Sequence, residues 1–154
     1  MDEYLYQLCR ENPKHDSLLA TNAKVFIIGL TFETGIKRQV RSQRTQGSSI
    51  AQVVNLIHTH HQLLDHQFHR LSAISEPLTP SKVADILEIY GILVKLLRSA
   101  TRDQHNVRSF VSKYMHFHNP AVPLCDVNAN TVLTSLVPWP SGLCDIRKPI
   151  FQPV

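Results

Sequence analysis

The stretch IAQVVNLIHTHHQLLDHQFHRLSAI, residues 50–74, decides the fold class. Its apolar residues recur every three or four positions, which is the period of one face of an α-helix. The turn signal TQGSS precedes the stretch and SEPLTP ends it. We therefore predict one long helix from about Ile50 to Ile74, with a core-facing stripe made of Ile50, Val53, Ile57, Leu64, Phe68 and Leu71.

The N-terminal third of the chain predicts two further helices. Residues 2–11 make a short opening helix before Pro13, and the next helix begins near Ser17. The run VFIIGLTF within it could instead be a buried strand. A helix is favoured because the same period continues past that run, through Val25, Ile28, Phe32, Ile36 and Val40.

The C-terminal half predicts two or three helices more. Thr79 followed by Pro80 is a typical helix start, and the helix it opens carries Val83, Ile86, Tyr90, Leu93 and Leu97 on one face. Another helix spans Asn106 to His118 and stops before Pro120, because the residue before a proline disfavours helix. Asp126 is the expected N-cap of a last helix that carries Val132, Leu133 and Leu136.

These elements together predict an all-α fold, an irregular bundle of five or six helices. We expect one helical domain over residues 1–137, with a Pro-rich extended C-terminal tail, residues 138–154, packed on it. A chain of 154 residues with 43% hydrophobic and 18% charged residues is typical of a globular domain.

Composition and termini also bear on location. The three cysteines, Cys9, Cys125 and Cys144, are odd in number and form no CxxC pair. The first fifteen residues lack the apolar run of a signal peptide, and no stretch approaches the roughly 20 apolar residues of a membrane span. We therefore expect a cytoplasmic protein with reduced thiols, no membrane association and no cofactor.

The charge pattern predicts a nucleic-acid partner. The net charge is +4, and no Asp or Glu occurs between Glu33 and Asp65. On a helix Lys37, Arg41 and Arg44 share one face, with Arg38 beside them. Such a row can neutralise several backbone phosphates, although basic residues also occupy ordinary solvated helix faces.

Histidines cluster in the long predicted helix. His58, Asp65 and His69 fall on one stripe, and His61 lies nearer the apolar face. Imidazole and carboxylate groups suit zinc, but the usual helical pair is His at i and i+4, and the i+4 partner of His58 is Gln62. We therefore expect a polar flank with one half-buried histidine and no metal site.

The most distinctive stretch is FVSKYMHFHNPAVPLCD, residues 110–126. Lys113 lies at the border of an apolar helix face, and partial burial makes a lysine amine a better nucleophile. Asp126 follows at a predicted helix start. If a cleft brings the two together they could perform Schiff-base chemistry, and they could equally form a salt bridge and a helix cap.

The segment KYMHFHNPAVPLCD, residues 113–126, resembles the region of helix-hairpin-helix DNA glycosylases in which a lysine-bearing helix precedes an AVPVD turn. The resemblance implies that Asp126 is the catalytic aspartate and Lys113 the lyase lysine. The chain departs from that family in three ways. RSFVSK replaces the Gly-rich hairpin, the interval from Lys113 to Asp126 is shorter, and Cys125 is an insertion.

A second resemblance is to small bacterial proteins with the pattern SKYLHFH-P-x-FPIYDS, which SKYMHFHNPAVPLCD at residues 112–126 matches. The segment NAKVFIIGLTFETGIKR, residues 22–38, is similar to a companion GRxYAAxIER segment of that group. This resemblance implies that the segment from Lys113 to Asp126 is a family hallmark, and it implies no particular activity.

Three functions follow as expectations, and whether the protein is an enzyme stays open. The first is a nucleic-acid-binding protein, or a divergent glycosylase-like domain that flips a base towards Asp126. Trp139 could stack on a base and could equally pack in the core. The second is a non-catalytic protein-interaction module or homodimer. The third is a helical ribonuclease toxin, because Arg98 and His105 fit the R-x(4–6)-H pattern of that group, although Arg98 also suits the end of a helix.

Overall fold

Six α-helices and no strand make up the part of the chain that the computed structural model describes, residues 2–32, 49–98 and 107–124. The helices are α1 (Asp2–Glu11), α2 (Leu18–Thr31), α3 (Ser49–Thr59), α4 (His61–Ser72), α5 (Pro80–Arg98) and α6 (Val107–His118). The predicted all-α fold is therefore confirmed. All described residues belong to one compact unit, Met1–Leu124. The predicted boundary at residues 137 and 138 lies outside them.

Local chemistry sets the helix ends at the predicted places. Ser17 caps α2, since its Oγ accepts the Ala20 N–H at 3.3 Å. Thr79 caps α5 in the same way through Lys82 N–H at 3.4 Å. At the far end α6 stops at His118, just short of the Asn-Pro pair that cannot continue a helix.

The prediction of one long helix from Ile50 to Ile74 was wrong. The structure divides this segment into α3 and α4 at His60. The break is slight. His60 N–H still donates to Leu56 O at 3.0 Å, and Leu64 N–H donates to His60 O at 3.1 Å. The backbone path therefore keeps its helical course, and all six members of the predicted apolar stripe are buried.

Two smaller differences concern α2 and α5. α2 ends at Thr31, with Phe32 as its C-cap. The run VFIIGLTF is therefore helical through Thr31, as predicted. The predicted continuation of this helix to Val40 lies outside the described residues. On α5, Val83 was wrongly predicted to face the core, since it is 40% exposed. The buried face of α5 begins at Ile86 and includes Ile89.

All six helices contribute fully buried apolar side chains to one core, for example Leu5, Ile28, Ile57, Leu71, Ile89 and Phe110. α6 is its central element, because it packs against α1, α2, α4 and α5 and eight of its twelve residues are buried. The distinctive stretch of the sequence is thus an interior helix. No helix in the described ranges is long and apolar enough to cross a bilayer.

Candidate functional site

Lys113 lies in the middle of α6, and its ammonium is directed at the end of α2. Nζ donates to Phe32 O at 2.8 Å and lies 5.7 Å from the centre of the Phe32 ring, and the residue is only 8% exposed. α2 has no basic residue in its own last turn. Lys113 therefore supplies the positive charge that the C-terminal end of a helix favours.

Asn119, the residue after α6, donates hydrogen bonds from its neutral amide to the end of α4. Its Nδ2 donates to Leu71 O at 2.7 Å and to Ile74 O at 2.8 Å, while its Oδ1 accepts Ala121 N–H at 3.0 Å. The side chain is buried. It adds a second donor to the Leu71 carbonyl, which also accepts Ile74 N–H at 3.0 Å, and it binds the Ile74 carbonyl beyond the end of α4. It also shapes the turn that follows α6.

His116 connects that turn to α1. Its Nδ1–H donates to Val122 O at 2.7 Å, so the remaining nitrogen, Nε2, accepts from the Tyr6 hydroxyl. Lys113 and Asn119 thus bind backbone carbonyls at the ends of α2 and α4, and His116 binds a carbonyl of the turn after α6. These three polar residues organise the fold around α6.

A second group of polar residues lies deeper, where the α1–α2 connection meets α4 and α6. His15 is fully buried, and Asp65 Oδ1 accepts both its backbone N–H at 3.0 Å and its Nδ1–H at 2.7 Å. The imidazole of His15 lies 5.1–5.8 Å from the rings of Phe68, Tyr114 and His118. We call these five residues the buried histidine cluster.

Three polar atoms of the cluster have no hydrogen-bond partner among the described residues: His15 Nε2, Tyr114 Oη and His118 Nε2. Burial lowers the pKa of His15 to about 4, and the repulsion of Lys24 acts in the same direction against the attraction of Asp65. Burial also lowers the pKa of His118 and raises the pKa of Tyr114. All three rings are therefore neutral at pH 7.

Lys24 and Cys9 are the other buried titratable groups beside this cluster. Lys24 Nζ donates to Asn12 O at 2.9 Å and to Lys14 O at 3.2 Å, just beyond the end of α1. Burial lowers the pKa of Lys24 to about 8 and raises the pKa of the Cys9 thiol to about 11, despite the nearby Lys24. The thiol is therefore protonated at neutral pH and is not an activated nucleophile.

The Asp65–His15 pair has the form of a general base, since the carboxylate fixes the imidazole tautomer and leaves Nε2 with a lone pair. However, His15 has no exposed surface and Tyr114 is buried beside it. A substrate in solvent cannot contact either group without a rearrangement of the core. The cluster therefore joins the α1–α2 connection to α4 and α6.

The candidate metal ligands of the sequence, His58, His61, Asp65 and His69, have different surroundings in the structure. Asp65 is engaged by His15, His69 is exposed, and His58 and His61 are both half-buried. Within the described ranges no group of three or more His, Cys, Asp or Glu side chains is placed to hold a metal ion.

The other predicted site residues are not brought together in the described part of the chain. Arg98 is the last residue of α5 and is half-buried. The rest of the predicted residues lie outside the described ranges, namely Lys37, Arg38, Arg41, Arg44, His105, Asp126 and Trp139.

Sequence reasoning did not identify His15 or Lys24. Lys24 had one usable signal, because it lies four residues before Ile28 and so on the buried face of the predicted helix. His15 had none, since it lies in the α1–α2 connection, 50 residues from its partner Asp65.

Comparisons of the chain with protein-family models, with curated proteins and with solved structures found no significant match.

Proposed function

We propose that this chain binds nucleic acid through the phosphate backbone and does not act on it chemically. The observation that carries the proposal is the stretch between Glu33 and Asp65, which contains Lys37, Arg38, Arg41 and Arg44 and no carboxylate. A row of cations without neighbouring acids attracts polyphosphate, because nothing within the row neutralises it.

The described surroundings of that stretch support the proposal. The four basic residues lie in residues 33–48, which connect α2 to α3, and these two helices pack against each other. The exposed residues of α3 are uncharged, for example Gln52 and Asn55. The first acid that follows, Asp65, lies on α4. α3 itself therefore contributes no carboxylate that would repel a phosphate.

Binding without catalysis is favoured by the position of Lys113. A lyase lysine must reach a sugar carbon with a free amine. The amine of Lys113 is buried and donates to the Phe32 carbonyl. We therefore propose that the chain shares nucleic-acid binding with the DNA glycosylases it resembles and lacks their lyase step.

A charge-reversal experiment tests the proposal. Fluorescence anisotropy would measure the affinity of the full chain for duplex DNA, single-stranded DNA and RNA in low salt. The test variant is Arg41→Glu/Arg44→Glu. The matched control is Lys14→Glu/Lys95→Glu, which changes the net charge equally at two exposed sites outside the stretch.

We expect the Arg41/Arg44 variant to abolish binding and the control to weaken it less than severalfold. Equal losses in both variants would mean that only the net charge matters, and the proposed binding face would be abandoned. Binding unchanged in the Arg41/Arg44 variant would also exclude it.

A second candidate function, a protein-interaction module, is favoured by the outer face of α2. Leu18, Leu19 and Phe26 are 48%, 81% and 50% exposed, although α2 also buries apolar residues on its inner face. Neighbouring exposed apolar side chains are typical of interaction surfaces. Sedimentation equilibrium of the full chain and of Leu19→Asp/Phe26→Asp tests this candidate, which predicts a dimer that the variant dissociates.

We also propose a cytoplasmic location. Cys9 is a free thiol buried in the core, and such thiols persist in a reducing compartment.

A further inference from the structure

His58 and His61 lie on either side of the break between α3 and α4, and each has its tautomer fixed by a backbone carbonyl. His58 Nδ1 lies 3.2 Å from His15 O, and His61 Nδ1 lies 2.9 Å from His58 O. A carbonyl oxygen only accepts, so in both rings Nδ1 carries the hydrogen. The lone pair of each neutral ring is therefore on Nε2.

These two Nε2 atoms have no hydrogen-bond partner among the described residues, and neither is enclosed in the protein interior. The ring centres lie 6.0 Å apart, and the ring planes differ by 28°. Two imidazoles that share one ion at a Zn–N distance of about 2.0–2.1 Å have their ring centres roughly 5–6 Å apart. The two rings are therefore close enough together to share one ion.

We propose that His58 and His61 form a two-histidine site for a divalent transition-metal ion of the zinc, nickel and copper group, with water in the remaining positions. A metal-bound histidine usually donates its other ring N–H to a carbonyl or carboxylate, and this hydrogen bond fixes the orientation of the ring. Asp65, one turn along α4 from His61, adds a nearby negative charge. Magnesium and calcium prefer oxygen ligands and do not suit the pair.

His58 and His61 are three residues apart, on either side of the slight break at His60. Residues at i and i+3 of a helical path lie on the same face, so the pair can share one ion without the i, i+4 spacing of HExxH. In the structure His58 belongs to the end of α3 and His61 to the start of α4.

The experiment is isothermal titration of Zn²⁺, Ni²⁺, Cu²⁺ and Mg²⁺ into the full chain without a polyhistidine tag. The test variant is His58→Ala/His61→Ala. The matched control is His66→Ala/His69→Ala, an exposed pair with the same spacing that lies within one helix, α4. We expect binding of the three transition-metal ions at least about tenfold weaker in the test variant, and unchanged in the control.

Ring-nitrogen NMR of the unmodified chain gives a second readout that does not depend on a variant folding. Addition of Zn²⁺ should shift the Nε2 resonances of His58 and His61 and leave those of His66 and His69 in place. Equal losses in the two double variants, Mg²⁺ binding as tight as Zn²⁺ binding, or Zn²⁺ shifts absent from His58 and His61 would each overturn the proposal.

Discussion

The substitution Lys113→Met separates a structural lysine from a catalytic one. In the structure the Lys113 ammonium is buried, donates to Phe32 O at 2.8 Å and supplies a positive charge at the end of α2. Methionine has a similar apolar stem, so the packing within α6 should be kept. What the variant loses is the hydrogen bond and the charge, and it leaves the Phe32 carbonyl without its donor.

The magnitude follows from three contributions. A hydrogen bond from a charged donor contributes about 1.5–3 kcal/mol, and a cation at a helix C-terminus contributes about 0.3–1 kcal/mol. Removing the cost of burying an ammonium group offsets part of this loss. We therefore expect Lys113→Met to lower the free energy of unfolding by about 2 kcal/mol.

Urea unfolding followed by far-UV circular dichroism measures this change. The control is Lys95→Met, at an exposed position of α5, which should stay within about 0.5 kcal/mol of the unmodified chain. Under the proposed function Lys113→Met should still bind nucleic acid in conditions where it is folded. A midpoint equal to that of the unmodified chain would refute the structural role of the lysine.

Two further predictions concern the other buried polar groups. Asn119→Ala should lower the free energy of unfolding by about 2 kcal/mol. Asn119→Asp should not restore this stability, because a carboxylate cannot donate to Leu71 O and Ile74 O. Urea unfolding that shows either variant to be as stable as the unmodified chain would contradict this prediction. The second prediction is a loss of stability in acid. The unfolded chain takes up a proton at His15 below its ordinary pKa of 6.5, whereas the folded chain does so only near pH 4. The free energy of unfolding should therefore be highest above pH 6.5 and fall by about 3 kcal/mol towards pH 4. The lowered pKa of His118 acts in the same direction. Urea midpoints that do not fall over this pH range would contradict the prediction.

The sequence predicted the helices well because their signals are local. The period of the apolar residues and the caps at Ser17 and Thr79 depend only on neighbouring positions. The break at His60 left no such signal. No proline or glycine marks it, and Ile57 and Leu64 are two turns apart, so the apolar pattern continues across the break.

The polar contacts could not be predicted, because their partners are distant in the sequence. Lys113 was correctly placed near an apolar face, but its acceptor, Phe32 O, is 81 residues away. Asn119 similarly reaches carbonyls 45 and 48 residues earlier. Only the packing of α6 shows that Lys113, His116 and Asn119 engage backbone carbonyls.

The salt dependence of duplex DNA binding tests the proposed nucleic-acid function most directly. The dissociation constant of the full chain would be measured between about 50 and 200 mM salt. If Lys37, Arg38, Arg41 and Arg44 each neutralise one phosphate, the logarithm of the affinity should fall against the logarithm of the salt concentration with a slope of about −3 to −4. A slope near zero, or no binding at the lowest salt concentration, would contradict the proposal.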